Sequence, residues 1–140
     1  MRRSFIAVAL ASTLSGIIYS CKNAAQLQQD ISYVNGRDIY IKHCQSCHGK
    51  NGEGLAMLAP PLTDTISLKE NKEKLACFIK NGIRDTTMII HGQKYDSTMP
   101  DFNLANIDIA QVIVYVTNNF GNKQGMYTPD QVAKDLAACP

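Results

Sequence analysis

The sequence predicts an all-α domain of helices joined by loops, and three stretches carry that expectation. Ile109, Val112, Ile113, Val116 and Phe120 recur at i, i+3, i+4, i+7 and i+11, the period of an amphipathic helix rather than of a strand, and Gly121 follows to end it. Ser67-Leu68-Lys69-Glu70 has capping-box spacing and opens a helix carrying Leu68, Leu75, Phe78 and Ile79 as far as Gly82. Thr128-Pro129-Asp130-Gln131 repeats the signature with proline at the first helical position, so a short helix should run through Ala138. Ahead of these, Asn35 is suited to cap a helix over residues 36–44, with Asp38 in a first turn where the helix dipole favours negative charge. Ala105, before the long helix, is a poor cap, and Asn103 and Asn106 are the two residues able to replace it.

A chain of 140 residues, 45% hydrophobic and 19% charged, has the composition of one compact globular domain. The formal charge is +2 with no basic run longer than two residues, which excludes the concentrated basic face of a nucleic-acid binder. Residues 1–20 read as an export signal, with Arg2 and Arg3 ahead of an apolar stretch interrupted by Ser12, Ser15 and Gly16. That stretch is shorter than the ~20 residues of a spanning helix. Ile18-Tyr19-Ser20-Cys21 resembles a bacterial lipobox, with tyrosine as a departure at its middle position. Lipidation of Cys21 would tether the protein to a membrane, and an ordinary cleaved signal with a free thiol is the alternative. Without the arginines at 2 and 3, 12 basic side chains face 12 acidic ones, so electrostatic steering of partners should be weak. The expected organisation is a signal over 1–20, a tether over 21–32 with a frayed helix as its alternative, a main domain over 33–121, and an extension with a short helix over 122–140.

The strongest chemical signal is Cys44-Gln45-Ser46-Cys47-His48, the CxxCH pattern of covalent c-type haem attachment. Two thiols three residues apart on a helical turn reach the two vinyl groups of one porphyrin, and the adjacent imidazole is presented to the iron. A zinc ribbon would need a second CxxC pair, and Cys77 and Cys139 are each isolated. A thioredoxin-like motif would need a βαβ context. Once haem and lipid have taken three of the five cysteines, Cys77 and Cys139 remain as a candidate disulfide pair.

With Gly36-Arg37-Asp38-Ile39-Tyr40 before the motif, and Gly49, Gly52-Glu53-Gly54, Pro60-Pro61-Leu62 and Met99-Pro100 after it, the chain resembles a class I cytochrome c over residues 33–121. The finer likeness is to small bacterial periplasmic types. The resemblance implies the cytochrome c fold around one haem c, crossing of the helices that hold Gly36 and Tyr40 on one side and Tyr115 on the other, and one-electron transport without enzymatic turnover. It also implies a sixth iron ligand. Candidates are Met57, Met88, Met99, Met126, His43 and His91; Met99 agrees with the family's position, and Pro100 keeps its loop out of helical geometry. Met88 and then His91 are its rivals. The carbonyl of Pro60 resembles the family's acceptor for the His48 imidazole N–H, with Pro61 as alternative. Tyr95 is placed to bond a propionate or support the Met99 loop, or simply to pack on its own chain. Expected partners are a redox donor and acceptor and, through Cys21, a membrane, in the periplasm or cell envelope. The protein is expected as a monomer or a subunit of a larger periplasmic oxidoreductase. The remaining alternative is a haem enzyme or gas sensor with an open sixth position.

Overall fold

A computed structural model describes residues 24–84, 87–90, 92–95 and 98–140. The signal segment, Cys21 and His91 lie outside these residues. The described residues fall into two units, divided between Ile31 and Ser32. In the first, residues 24–31 are helical, which is the alternative form of the tether, and Gln26 Nε2 donates to Asp30 Oδ1 at 2.9 Å, one turn on.

The helix over residues 24–43, α1, continues through Asn35, so Asn35 is a helix-interior residue and not the expected cap. The reason is local: Ala24, Ala25, Gln26, Leu27 and Gln28 are strong helix formers and no breaker stands between them and Gly36. Within the second unit α1 buries Ser32 and Tyr40, and Gly36 lies between them on the same face. After a turn at Cys44 comes α2, Gln45–His48. Helix α3, Thr65–Glu70, is capped by Asp64, whose Oδ1 accepts from the backbone N–H groups of Ile66 and Ser67. Ser67 is therefore inside the helix it was expected to open. The carboxylate three residues earlier satisfies the orphan donors first. A 3-10 turn, Lys72–Lys74, leads to α4, Leu75–Asn81, which stops at Gly82 in the left-handed region, φ +71°.

A two-stranded antiparallel hairpin, absent from the all-helical expectation, follows: β1, Met88–Ile90, pairs with β2, Gln93–Tyr95, in the register Met88 to Tyr95 and Ile90 to Gln93. It turns at Gly92, φ +77°. Helix α5, Asn106–Thr117, has Ala105 as its N-cap with no side-chain bond. Neither asparagine caps it, and Asn103 Oδ1 instead accepts from Lys80 Nζ at 3.3 Å. The helix stops at Thr117, short of Phe120, because Asn118 bonds the loop beyond it: its Oδ1 accepts from Gln124 N and Gly125 N, and its Nδ2 donates to Gly125 O. Helix α6, Pro129–Ala137, carries the full capping box of Thr128 and Gln131.

Helix α5 is buried on nearly all sides. One side joins Ala76, Tyr127 and Val132 in a core shared with α4 and α6. The other, through Val112, Tyr115 and Val116, packs on Tyr40. Cys77 of α4 and Cys139 after α6 form a disulfide with Cα atoms 5.7 Å apart, closing a loop of 62 residues. Loop-closure entropy assigns such a bridge ~4 kcal/mol. Replacing both cysteines by serine is accordingly expected to lower unfolding stability by about 3 to 4 kcal/mol, read from the urea midpoint, and an unchanged midpoint would count against a bridge in solution. No helix of the described residues is long and apolar enough to cross a membrane.

Candidate haem-binding site

The CxxCH segment occupies the turn from α1 into α2. Cys44 N–H still donates to Tyr40 O at 2.8 Å, and His48 N–H donates to Cys44 O at 2.9 Å, so the three residues are held on one tight backbone unit. Two clefts open beside it. An inner one of about 110 Å³ is bordered by Cys44 and His48 and walled by apolar side chains including Leu68, Ile79 and Val116. An outer one of about 280 Å³ is bordered by Cys47 and His48 and walled by Leu55, Leu58 and Pro60. His48 and Met99 border both. One cysteine thus borders each cleft, and the two clefts share a histidine and a methionine.

The imidazole is oriented from behind. His48 Nδ1 lies 3.1 Å from Pro60 O, so its N–H donates to that carbonyl and Nε2 is left as the free lone pair. Burial pushes the His48 pKa below its ordinary value, against the smaller opposing pull of the Pro60 hydrogen bond, which keeps the ring neutral as a metal ligand requires. Burial, with a smaller contribution from Cys47, pushes the Cys44 thiol up to about 12. Pro60 reaches His48 because Gly54, φ +75°, lets the chain double back: a Cβ there would lie 2.5 Å from Ala59 O and 2.9 Å from Pro61 N.

Met99 is held by its main chain. Its N–H donates to Ile83 O at 3.0 Å and Ile83 N–H donates to Met99 O at 2.9 Å. Gly82 permits that approach, since a Cβ on it would lie 2.5 Å from Met99 O. Met88 also borders both clefts. The other described rivals are engaged elsewhere: Met57 Sδ accepts from Gln93 Nε2, Met126 packs on the α4–α5–α6 core, and His43 stacks edge-on with Phe102 at 5.6 Å. Tyr95 is buried and borders the outer cleft beside Met99.

Sequence reasoning placed Cys44, Cys47, His48, Pro60, Met99 and Tyr95, all of which come together here. It missed Ser67 and Asn71 on the inner cleft, where Asn71 Nδ2 donates to Ser67 O at 2.9 Å. Their i, i+4 spacing beside Leu68 was the available signal, and the capping-box reading of Ser67 obscured it. Tyr40 also borders the inner cleft, its hydroxyl donating to Gly49 O at 2.7 Å.

An apolar slot with two thiols, one neutral imidazole whose Nε2 is free, and a thioether fits a covalently attached haem. Among the described residues no group of three or more His, Cys, Asp or Glu could hold a bare metal ion. The family model for cytochrome c matches residues 33–120. The chain belongs to the cytochrome c family. Over 105 residues, 72% of its length, this cytochrome is 30% identical to the cytochrome c subunit of an alcohol dehydrogenase (quinone) from Gluconacetobacter polyoxogenes, and equally to that from Komagataeibacter europaeus. It spans 22%, about a fifth, of those subunits. Over 114 residues, 74% of the chain and 76% of the relative, it is 25% identical to cytochrome c-552 of Thermus thermophilus. The family is one of haem-binding electron carriers, the chain offers it one CxxCH segment, and the fold is mostly helical with a small two-stranded sheet.

Two buried phenols give it an alkaline limit. Burial, above all, pushes Tyr40 and Tyr127 above the ordinary tyrosine value, and for Tyr127 the hydrogen bond to Asp135 adds to it. Above pH ~10 the unfolded chain releases these protons and the folded chain keeps them, so the stability they contribute is complete below pH ~10 and is lost as pH rises. The urea midpoint should fall as pH rises above ~10, less steeply in Tyr127→Phe; equal slopes would show that Tyr127 does not contribute.

Proposed function

We propose that Cys44 and Cys47 would carry the haem thioethers, that His48 and Met99 would supply the iron's protein ligands, and that the protein passes single electrons between two redox proteins. The observation that carries this reading is that His48 and Met99 border both apolar clefts beside the CxxCH turn, with the His48 Nδ1–H already committed to Pro60 O. A haem supplies, when bound, a reversible one-electron couple at its iron. The chain's residues do the rest. Pro60 fixes the imidazole, the Ile83 clamp holds Met99 in either oxidation state, and the apolar walls exclude water, so little has to move when charge changes. Exposed Leu55 and Leu58 at the outer cleft offer an apolar rim for a transient partner.

The likeness to a subunit of a quinone alcohol dehydrogenase favours a second reading, service as the electron-transfer subunit of a larger oxidoreductase. Export through residues 1–20 to the periplasm, with Cys21 lipidated, completes the proposal. It is tested on protein made in a host with haem-attachment machinery. The haem should remain on the chain after denaturation, on a peptide that contains Cys44 and Cys47. A haem released by denaturant, or found on another peptide, overturns the site. Labelled fatty acid should enter the wild type and not Cys21→Ser, and equal labelling refutes the anchor. A partner that copurifies after gentle extraction separates the subunit from the free carrier.

A further inference from the structure

Four aromatic rings run from the inner wall of the slot toward the surface. Tyr40, which borders the inner cleft and is 0% exposed, has its ring centroid 5.2 Å from that of Tyr115, which is 6% exposed. Tyr115 stands 5.1 Å from Tyr33, a half-buried residue of α1. Phe120 packs against both inner tyrosines at 5.4 and 5.7 Å and seals them from solvent. Phenols are the most easily oxidised side chains in this stretch, and three of them lie in ring-to-ring contact. We propose that Tyr40, Tyr115 and Tyr33 form a chain that carries oxidising equivalents from the slot to the surface when a hydroperoxide takes the place of the Met99 thioether, so that damage is spent on Tyr33 instead of on the ligands. The proposal rests on the haem being held at Cys44 and Cys47.

The direction follows from where a proton can go. An oxidised phenol comes to rest as a neutral radical only if it sheds its proton. The Tyr40 hydroxyl donates to the Gly49 carbonyl, an acceptor too weakly basic to take that proton, so an electron vacancy at Tyr40 is passed on. Tyr115 is 6% exposed and its side-chain partner, the Asn119 amide, takes no proton, so Tyr33 is the first of the three with access to water. Ordinary ferric haem is too weak an oxidant for phenol, which leaves the chain idle during normal turnover. Cleaving the O–O bond of ROOH to ROH and water takes up two electrons and two protons. Two phenols supply them, each losing one electron and one proton to become a phenoxyl radical. Radicals at Tyr33 of two molecules then join by a ring carbon–carbon bond, with no further oxidant.

The test uses the intact holoprotein and a stoichiometric amount of hydrogen peroxide, read by electron paramagnetic resonance of frozen samples and by mass mapping of crosslinked peptides. Wild type should show a tyrosyl signal and a dityrosine dimer joined at Tyr33. Tyr33→Phe should lose the dimer. Tyr115→Phe, which keeps Tyr33, should lose it too and bleach its haem absorption faster. Tyr33→Trp restores an oxidisable ring and should regain an oxidation product at position 33. Tyr127→Phe removes a buried phenol that borders neither cleft and should leave the Tyr33 dimer intact. A Tyr33 dimer that survives Tyr115→Phe, crosslinks that map to Tyr95, or an absence of any product at Tyr33 overturns the chain. The haem peptide of the same samples keeps the two claims apart. Haem missing from the Cys44–Cys47 peptide defeats the site, and haem present there with Tyr33 untouched defeats only the relay.

Discussion

Met99→Ala is expected to lose the weak sulfur-to-iron absorption of the ferric protein, to bind carbon monoxide in the ferrous state, and to show a lowered reduction potential. The backbone clamp explains why the effect should be confined to the ligand. Both hydrogen bonds between Ile83 and Met99 involve main-chain atoms, so truncating the side chain leaves the loop where it is and removes only the thioether. A thioether opposite histidine raises the potential by favouring ferrous iron, and axial ligands span a range of ~0.8 V among haem proteins. Each ~59 mV is a tenfold change in the ratio of ferric to ferrous protein, so even a modest fraction of that range redirects electron flow. Met88 borders the same two clefts and is the internal control. If Met88→Ala loses the sulfur band and Met99→Ala keeps it, the assignment is reversed. If neither variant loses it, the sixth ligand is neither methionine.

What could be read in advance divides according to how local the determining chemistry is. The haem pattern at Cys44 to His48 is legible because thioether attachment fixes its spacing within one turn. The capping box at Thr128 is legible because all its partners lie within four residues, and both its hydrogen bonds are present. The cap of α3 is equally local, yet two candidates compete within four residues, and the pattern alone does not reveal that Asp64 reaches the free N–H groups before Ser67 can. The end of α5 is not local at all. It depends on Asn118 bonding Gln124 and Gly125 across a loop, so a hydrophobic stripe that continues to Phe120 misleads. Phe120 instead takes φ +53° and lays its ring where a side chain on Gly52 would be. Gly82 belongs to the same class: it reads as a helix stop, and only the tertiary approach of Met99 O shows that it also positions a ligand loop.

Gly36 offers the sharpest stability test, because helix propensity and packing predict opposite signs. Replacing an interior helical glycine by alanine should stabilise by ~1 kcal/mol on propensity alone. A Cβ on Gly36, however, would lie 1.9 Å from Gln111 O, 2.5 Å from Gln111 C and 3.0 Å from Tyr115 Cβ. The first two are main-chain atoms of α5 and cannot rotate aside, so α1 must move bodily off the helix it crosses. Overpacking of this kind costs typically ~1 to 3 kcal/mol and more where backbone must shift. Gly36→Ala is therefore expected to be net destabilising by about 2 kcal/mol and Gly36→Val by more, in urea unfolding of the holoprotein. The consequence reaches the site, because Tyr40 lies one turn further along α1 and Cys44 one turn beyond that, hydrogen-bonded to Tyr40 O. Displacing α1 displaces the wall of the inner cleft and the first thioether together. The visible spectrum should broaden at denaturant concentrations where the wild type is unchanged, and a Gly36→Ala midpoint equal to or above wild type would show that the crossing yields without strain.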